Sequence, residues 1–372
     1  MTFSTSLQRM VAPFRADQVG SLLRTDMIKK ARLQYTNGEL QAEQLREIEN
    51  EEIRRIVAKQ EEIGLLSITD GEFRRAWWHF DFLERLDGVE GYDTEGGIQF
   101  HNTTTKAHGV KVTGKIDFTT HSHLDDYAFL HSIVSQDRTA KMTIPSPNML
   151  LFRGQIETDL YEDRDVLLHD LAQAYQKAIR AFYDAGCRYL QLDDTSWAAF
   201  FSEEAKAKLR NDGKDPDQML ADAAKLINES IANRPADMMI TMHICRGNFR
   251  STWAASGGYD GAAETILDGL DLDGLFMEYD DERSGSFDAL RFVKRPSLQI
   301  VLGLVTSKYG ELENPDDIKR RIDAASKFVN LDQLCLSPQC GFASTEEGNL
   351  LTEEQQWDKL RHVIQISQEV WK

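Results

Sequence analysis

Short apolar runs rich in β-branched residues recur along the chain, separated by longer stretches with helical spacing, and this alternation leaves few folds open. It is the βαβ pattern of a parallel sheet covered by helices on its faces. The runs are FRADQVGS (14–21), LLSITDGE (65–72), GVKVTGKI (109–116), AKMTIPSP (140–147), CRYLQLDD (187–194), MMITMHIC (238–245), GLFMEYD (274–280), LQIVLGLV (298–305) and QLCLSPQC (333–340). That is one more than an eight-stranded ring holds. Residues 86–135, rich in Gly, Thr, His and Asp, show no clear amphipathic helix, so the 109–116 run is assigned to a hairpin-like excursion after the second strand. The other eight runs predict an α/β fold, a (β/α)8 TIM barrel occupying 1–372 as one catalytic domain. Over 165–185, Leu168, Leu171, Ala172, Tyr175, Ala178, Ile179 and Phe182 fall on one helical stripe that Gly186 can terminate. Residues 39–63 carry Leu45, Ile48, Ile53, Ile56, Val57 and Ile63 among many Glu and Arg, the pattern of a half-exposed helix.

With 43 basic against 61 acidic residues and a net charge of −18, the chain lacks the clustered Lys and Arg of a nucleic-acid footprint. The N-terminal MTFSTSLQRMVAPFRADQVGS has no apolar central run of a secretory signal, and no stretch approaches the roughly 18 uninterrupted apolar residues of a membrane span. A soluble cytoplasmic protein is expected, with neither nucleic acid nor membrane as partner. Four cysteines in 372 residues do not make a disulfide scaffold, and in a reducing compartment they are thiols available to a metal.

The stretch MHICRGNFR (242–250) sets His243 and Cys245 two apart at a strand end, where both point to one side. Two ligands on one face make half of a tetrahedral site, and a borderline-soft ion such as Zn2+ takes imidazole, thiolate and carboxylate. The next strand ends FMEYDD and the last ends SPQCGF, offering Glu278 and Cys340 at the carboxyl rim where barrel enzymes keep their active sites. A buried cysteine beside a hydrogen-bonded histidine is the ordinary alternative for His-x-Cys alone. Cys187 and Cys335 lie in apolar strand text and are expected in the core. His121 and His123 in TTHSHLDD repeat the spacing, but in a polar segment without a cysteine, and are expected to be exposed.

In the same order, VGS (19–21), GE (71–72), LDGV (86–89), QLDD (191–194), HIC (243–245), Glu278 and SPQCGF (337–342) resemble the motifs of the catalytic barrel of cobalamin-independent methionine synthase. The resemblance spans nearly the whole chain, without that enzyme's additional N-terminal barrel. It implies a methyltransferase in which zinc, held by His243, Cys245, Glu278 and Cys340, binds the thiol of homocysteine and keeps it deprotonated for attack on a methyl carbon. It implies that Gly20 and Ser21 meet the substrate carboxylate, while Glu72 and Asp193 hold its ammonium. Without the resemblance, Ser21 reads as a turn residue and Asp193 with Asp194 as helix caps.

The sequence also departs from that family. Where the synthase carries a proton-donating histidine in D-x-H-S, this chain reads GLVTSKYGELE (303–313), so Lys308 or Tyr309 stands in, or the leaving group differs. The tryptophan expected to stack on the pterin is replaced by Leu151 or Phe152. DGEFRRAWWHFDF (70–82) offers Arg74 and Arg75 to grip an anion and Trp77, Trp78 and His79 as a wall over a donor, with Trp197 a second wall; the tryptophans anchoring the excursion is the equal alternative. Methyl donor, exact thiol and the choice between monomer and homodimer stay open. Two competing assignments are addition of coenzyme M to an epoxide at a similar zinc set and a metal-free decarboxylase barrel of the uroporphyrinogen type. A zinc-storing, sensing or purely structural site is the non-enzymatic alternative.

Overall fold

The computed structural model describes residues 9–156 and 159–372; residues 1–8 of the N-terminal stretch considered above lie outside the described residues. In chain order the strands are β1 (Ser67–Ile68), β2 (Asp87–Tyr92), β3 (Gln99–Phe100), β4 (Thr103–Thr104), β5 (Gly109–Asp117), β6 (Thr139–Pro145), β7 (Gly154–Ile156), β8 (Tyr189–Asp194), β9 (Met239–Ile244), β10 (Gly274–Glu278), β11 (Gln299–Val305) and β12 (Leu334–Pro338). Seven of them form one parallel sheet in the order β1-β6-β8-β9-β10-β11-β12. Nearly every residue of β8, β9, β10, β11 and β12 is buried, as a sheet covered on both faces requires.

The 14–21 run does not form the eighth ladder expected of it. It makes one parallel bridge, Ala16 to Leu336, with Asp17 N donating to Leu336 O at 3.0 Å. On its other side, Gln18 Nε2 donates to Ser67 O, Thr69 Oγ1 to Gly20 O and Leu22 N to Gly71 O. The segment therefore lies between β12 and β1, and the sheet curls around to meet it from both edges. The cause of the irregularity is Asp17, whose carboxylate takes the backbone N–H groups of Phe14 and Gln18 and so competes with ladder pairing.

Helix Arg164–Asp184 buries Leu168, Leu171, Ala172, Tyr175, Ala178, Ile179 and Phe182, the stripe read from the sequence, and Gly186 follows it at φ 99°. Removing a side chain such as Phe182 from this contact would cost about 3–5 kcal/mol. Helix Ala42–Ile63 buries only Ile53, Ile56 and Val57 among its apolar residues.

Between β1 and β6, strands β2 and β5 pair antiparallel and β3 and β4 form a two-stranded tip; β7, which follows β6, joins β5 in parallel. This stretch also holds a helix, Ser122–Ile133, where none was expected. Its inner face carries His123, Asp126, Tyr127 and Leu130, so half of what it buries is polar and no apolar stripe marks it. Asp126 is matched there by Arg46 at 2.5 Å and Arg74 at 3.4 Å. His121 and His123 are likewise buried, contrary to expectation: their rings lie 4.4 and 5.7 Å from that of Phe82. Cys187 and Cys335 are core residues as expected, and burial pushes both thiols up to about 12. Among the described residues no helix is long and apolar enough to cross a membrane.

Candidate metal centre

Adjacent parallel strands deliver their last residues to one rim, and the chemistry gathers there. His243 lies in register with Asp193 of β8 on one side and Phe276 of β10 on the other, and Cys245 follows the end of β9. Cys340 follows β12 by two residues. The ligand atoms of His243, Cys245 and Cys340 lie within 4.8 Å of one another, and all three residues are buried. Neither ring nitrogen of His243 meets full hydrogen-bond geometry with a partner, although the Cys340 sulfur lies close enough to act on it. An orphaned buried polar atom of this kind costs about 1–3 kcal/mol. One imidazole and two thiols are the donor set of a borderline-soft divalent ion, which would engage the orphaned nitrogen.

The electrostatics favour deprotonated sulfur at one position. Cys245's thiol, and then His243, hold Cys340 well below the usual thiol range against its burial. Cys340 in turn raises Cys245 together with burial. Burial pulls His243 down, but Cys340, Asp193 and Glu278 outweigh it and raise it.

Glu278, at the end of β10, stands beside this triad rather than within its spacing. Its carboxylate accepts from Arg246 N at 2.7 Å and pairs with Arg283 at 2.8 Å and Lys308 at 3.5 Å. These cations outweigh burial and lower its pKa. Lys308 is itself buried, its ammonium 2.8 Å from Asp280, and it does not line the cavity over the triad.

That cavity, of about 510 Å³, is lined at the metal end by Ser21, Glu72, Asp193, His243, Cys245 and Cys340. Gly20 packs so closely on β6 that a Cβ there would lie 2.7 Å from the Thr143 methyl. Glu72 sits at φ 58°, a left-handed conformation that costs a non-glycine residue of order 1 kcal/mol and that clusters at functional sites. One Glu72 oxygen accepts from Thr143 Oγ1 at 2.8 Å and the other has no partner. Burial raises Glu72, against Arg75 and Arg24, and raises Asp193 to about 7. Asp194 does act as a local cap, accepting from Ser196 N and Ser146 Oγ.

Another part of the wall is aromatic. Trp77, Trp78 and His79 line it, joined by Phe152 and by Phe100 from the excursion tip. Trp77 also bridges to Thr345, so it anchors as well as lines. Arg74 and Arg75 do not reach the cavity: Arg74 faces Asn50 and Asp126, and Arg75 donates to Thr143 O and pairs with Glu72. Trp197 is fully buried away from it. Phe100 and Arg153 were missed from sequence, since a two-residue strand and the end of a six-residue helix carry no periodic signal.

Residues 14–368 match the family described as cobalamin-independent synthase, catalytic domain. The uncharacterized protein YxjG of Bacillus subtilis is 68% identical over 368 residues, 99% of this chain and 97% of that one. The crystal structure of a candidate vitamin-B12-independent methionine synthase from Listeria monocytogenes is 52% identical with TM-score 0.81, covering 97% of this chain and 99% of the other. A B12-independent methionine synthase from a Shewanella species, solved with selenomethionine, shares the fold at TM-score 0.71 and 17% identity over 96% and 97% of the two chains.

Proposed function

This chain belongs to the cobalamin-independent methionine synthase catalytic-domain family, and on that footing we propose that it is a zinc-dependent S-methyltransferase acting on the thiol of homocysteine or a close thiol. The convergence of His243, Cys245 and Cys340 at the strand ends carries the proposal. Zinc held there would lower the pKa of an incoming thiol so that it is a nucleophilic thiolate near neutral pH.

The chain's own residues supply the rest. Glu72 and Asp193 offer the ammonium of an amino-acid thiol two carboxylates, and the unpartnered Glu72 oxygen is an acceptor awaiting a donor. Charge-assisted contacts of this kind are each worth about 1.5–3 kcal/mol. Ser21 on the cavity wall and the tightly packed backbone at Gly20 are placed to meet the carboxylate. Glu278, held by Arg246, Arg283 and Lys308, would stand as a further donor beside His243, Cys245 and Cys340. Lys308, turned to Glu278 and Asp280, is then a positioning residue for that carboxylate rather than the proton donor. Two acids beside the triad disfavour a sulfonate thiol such as coenzyme M, whose anionic end they would repel.

The test is to offer zinc-loaded protein homocysteine with a panel of methyl donors: methylfolate mono- and polyglutamate, methylcobalamin and methylated thioethers. Methionine detected by mass is the expected product. Its absence with every donor, or coenzyme M consumption with an epoxide instead, overturns the proposal.

A further inference from the structure

Other buried cations among the described residues have partners. Lys141 is held by Asp17 and the carbonyl of Gln18, Arg246 by Glu278 and the carbonyls of Gly257 and Ser284, and Lys359 by Glu313. Arg153 is different. It is partly buried in the cavity wall, yet among the described residues no hydrogen bond or ion pair engages its guanidinium, and its Nε is enclosed without an acceptor. Only its own neighbour's ring lies under it, Phe152 at 4.7 Å. Burial, with no acidic group among the described residues near enough to offset it, draws its pKa down to about 10. A guanidinium stays charged even so, and a partly desolvated charge without a counter-ion is placed to pair with an anion entering the cavity.

The surroundings indicate where that something lies. Arg153 acts electrostatically on His79, whose two ring nitrogens are also unpartnered and whose ring stands 4.4 Å from that of Trp78. Asp193 lies in register with His243 and interacts with Glu72, whereas Arg153 acts on His79. Of the other two lining cations, Lys208 is exposed and beside Glu204, and Arg246 is held by Glu278.

We propose that Arg153 is the anion receptor of this cavity and that the methyl donor carries a carboxylate or phosphate group that pairs with it, the donor's flat part lying against Trp78 and His79. The donor half of this inference rests on the methyltransfer proposal; the anion site does not.

Equilibrium dialysis of the metal-loaded full chain against 5-methyltetrahydrofolate monoglutamate, a dicarboxylate, and separately against inorganic pyrophosphate tests it. The wild type should bind one of the two. Arg153→Ala should weaken that binding by about 30-fold and Arg153→Lys by less, with metal content and homocysteine binding unchanged. Preference for the first probe assigns a carboxylate donor, and for the second a phosphate donor. Equal affinity in wild type and Arg153→Ala, or binding of neither probe to the wild type, overturns the anion site. Arg153-dependent binding without methionine from any donor keeps the site and rejects methyltransfer. Methionine formed with an unchanged donor KM in Arg153→Ala does the reverse.

Discussion

His243 with Cys245 and His121 with His123 are pairs of the same spacing, both buried, and they end in opposite roles. The first pair ends a strand, so both side chains leave one face, and Cys340 arrives from β12 to complete a triad within 4.8 Å. The second opens a helix. His121 Nδ1 accepts from His123 N while its Nε2 donates to Phe82 O, and both rings pack on Phe82. His123 also keeps two unpartnered nitrogens, so an unengaged imidazole is not itself the distinguishing mark. The difference is the third donor, brought from 95 residues beyond Cys245 by the parallel sheet at one end and absent among the described residues at the other.

Removing the third donor should break the comparison outright. Cys340→Ser is expected to lose most bound metal and essentially all transfer, whereas His123→Phe should keep both; elemental analysis of the purified variants decides. Full metal content in Cys340→Ser would collapse the distinction between the pairs.

A smaller effect sharpens it by probing the acids that face the cavity beside the first pair. Glu72→Gln keeps the Thr143 contact but removes the charge, and should raise the KM for homocysteine by about 10- to 100-fold with metal retained. An unchanged KM removes Glu72 from the ammonium site.

The second pair should reveal itself in stability instead. Burial lowers His121 to about 4 from 6.5, so the unfolded chain takes up a proton that the folded chain refuses. Its contribution is fully present above pH 6.5 and is lost as pH falls toward 4, by at most roughly 3 kcal/mol. His121→Asn, a neutral cap, should flatten the fall of melting temperature across that interval. An identical pH slope in the variant would assign the acid sensitivity elsewhere.

What was legible in the sequence follows the same division. Strands buried on both faces announce themselves as apolar runs, and the Arg164–Asp184 stripe is a matter of spacing, so the parallel sheet could be read directly, while the donors at its rim needed the family resemblance as well. Elements that bury polar groups could not. Asp17 spends its carboxylate on the 14–21 segment and spoils a ladder the apolar text promised, while His123 and Asp126 hide a helix by occupying its inner face. Direction was equally invisible: Arg74, Arg75 and Trp197 have the chemistry of a pocket and point elsewhere, whereas Arg153 faces the cavity with nothing in its spacing to say so.

The central claim, that three distant side chains hold one ion with room for a substrate sulfur, is tested most directly by zinc-edge X-ray absorption on the zinc-loaded protein with and without homocysteine. The account predicts two sulfur neighbours, from Cys245 and Cys340, rising to three when homocysteine is added. A sulfur count that does not change, with homocysteine shown to be bound, would contradict it.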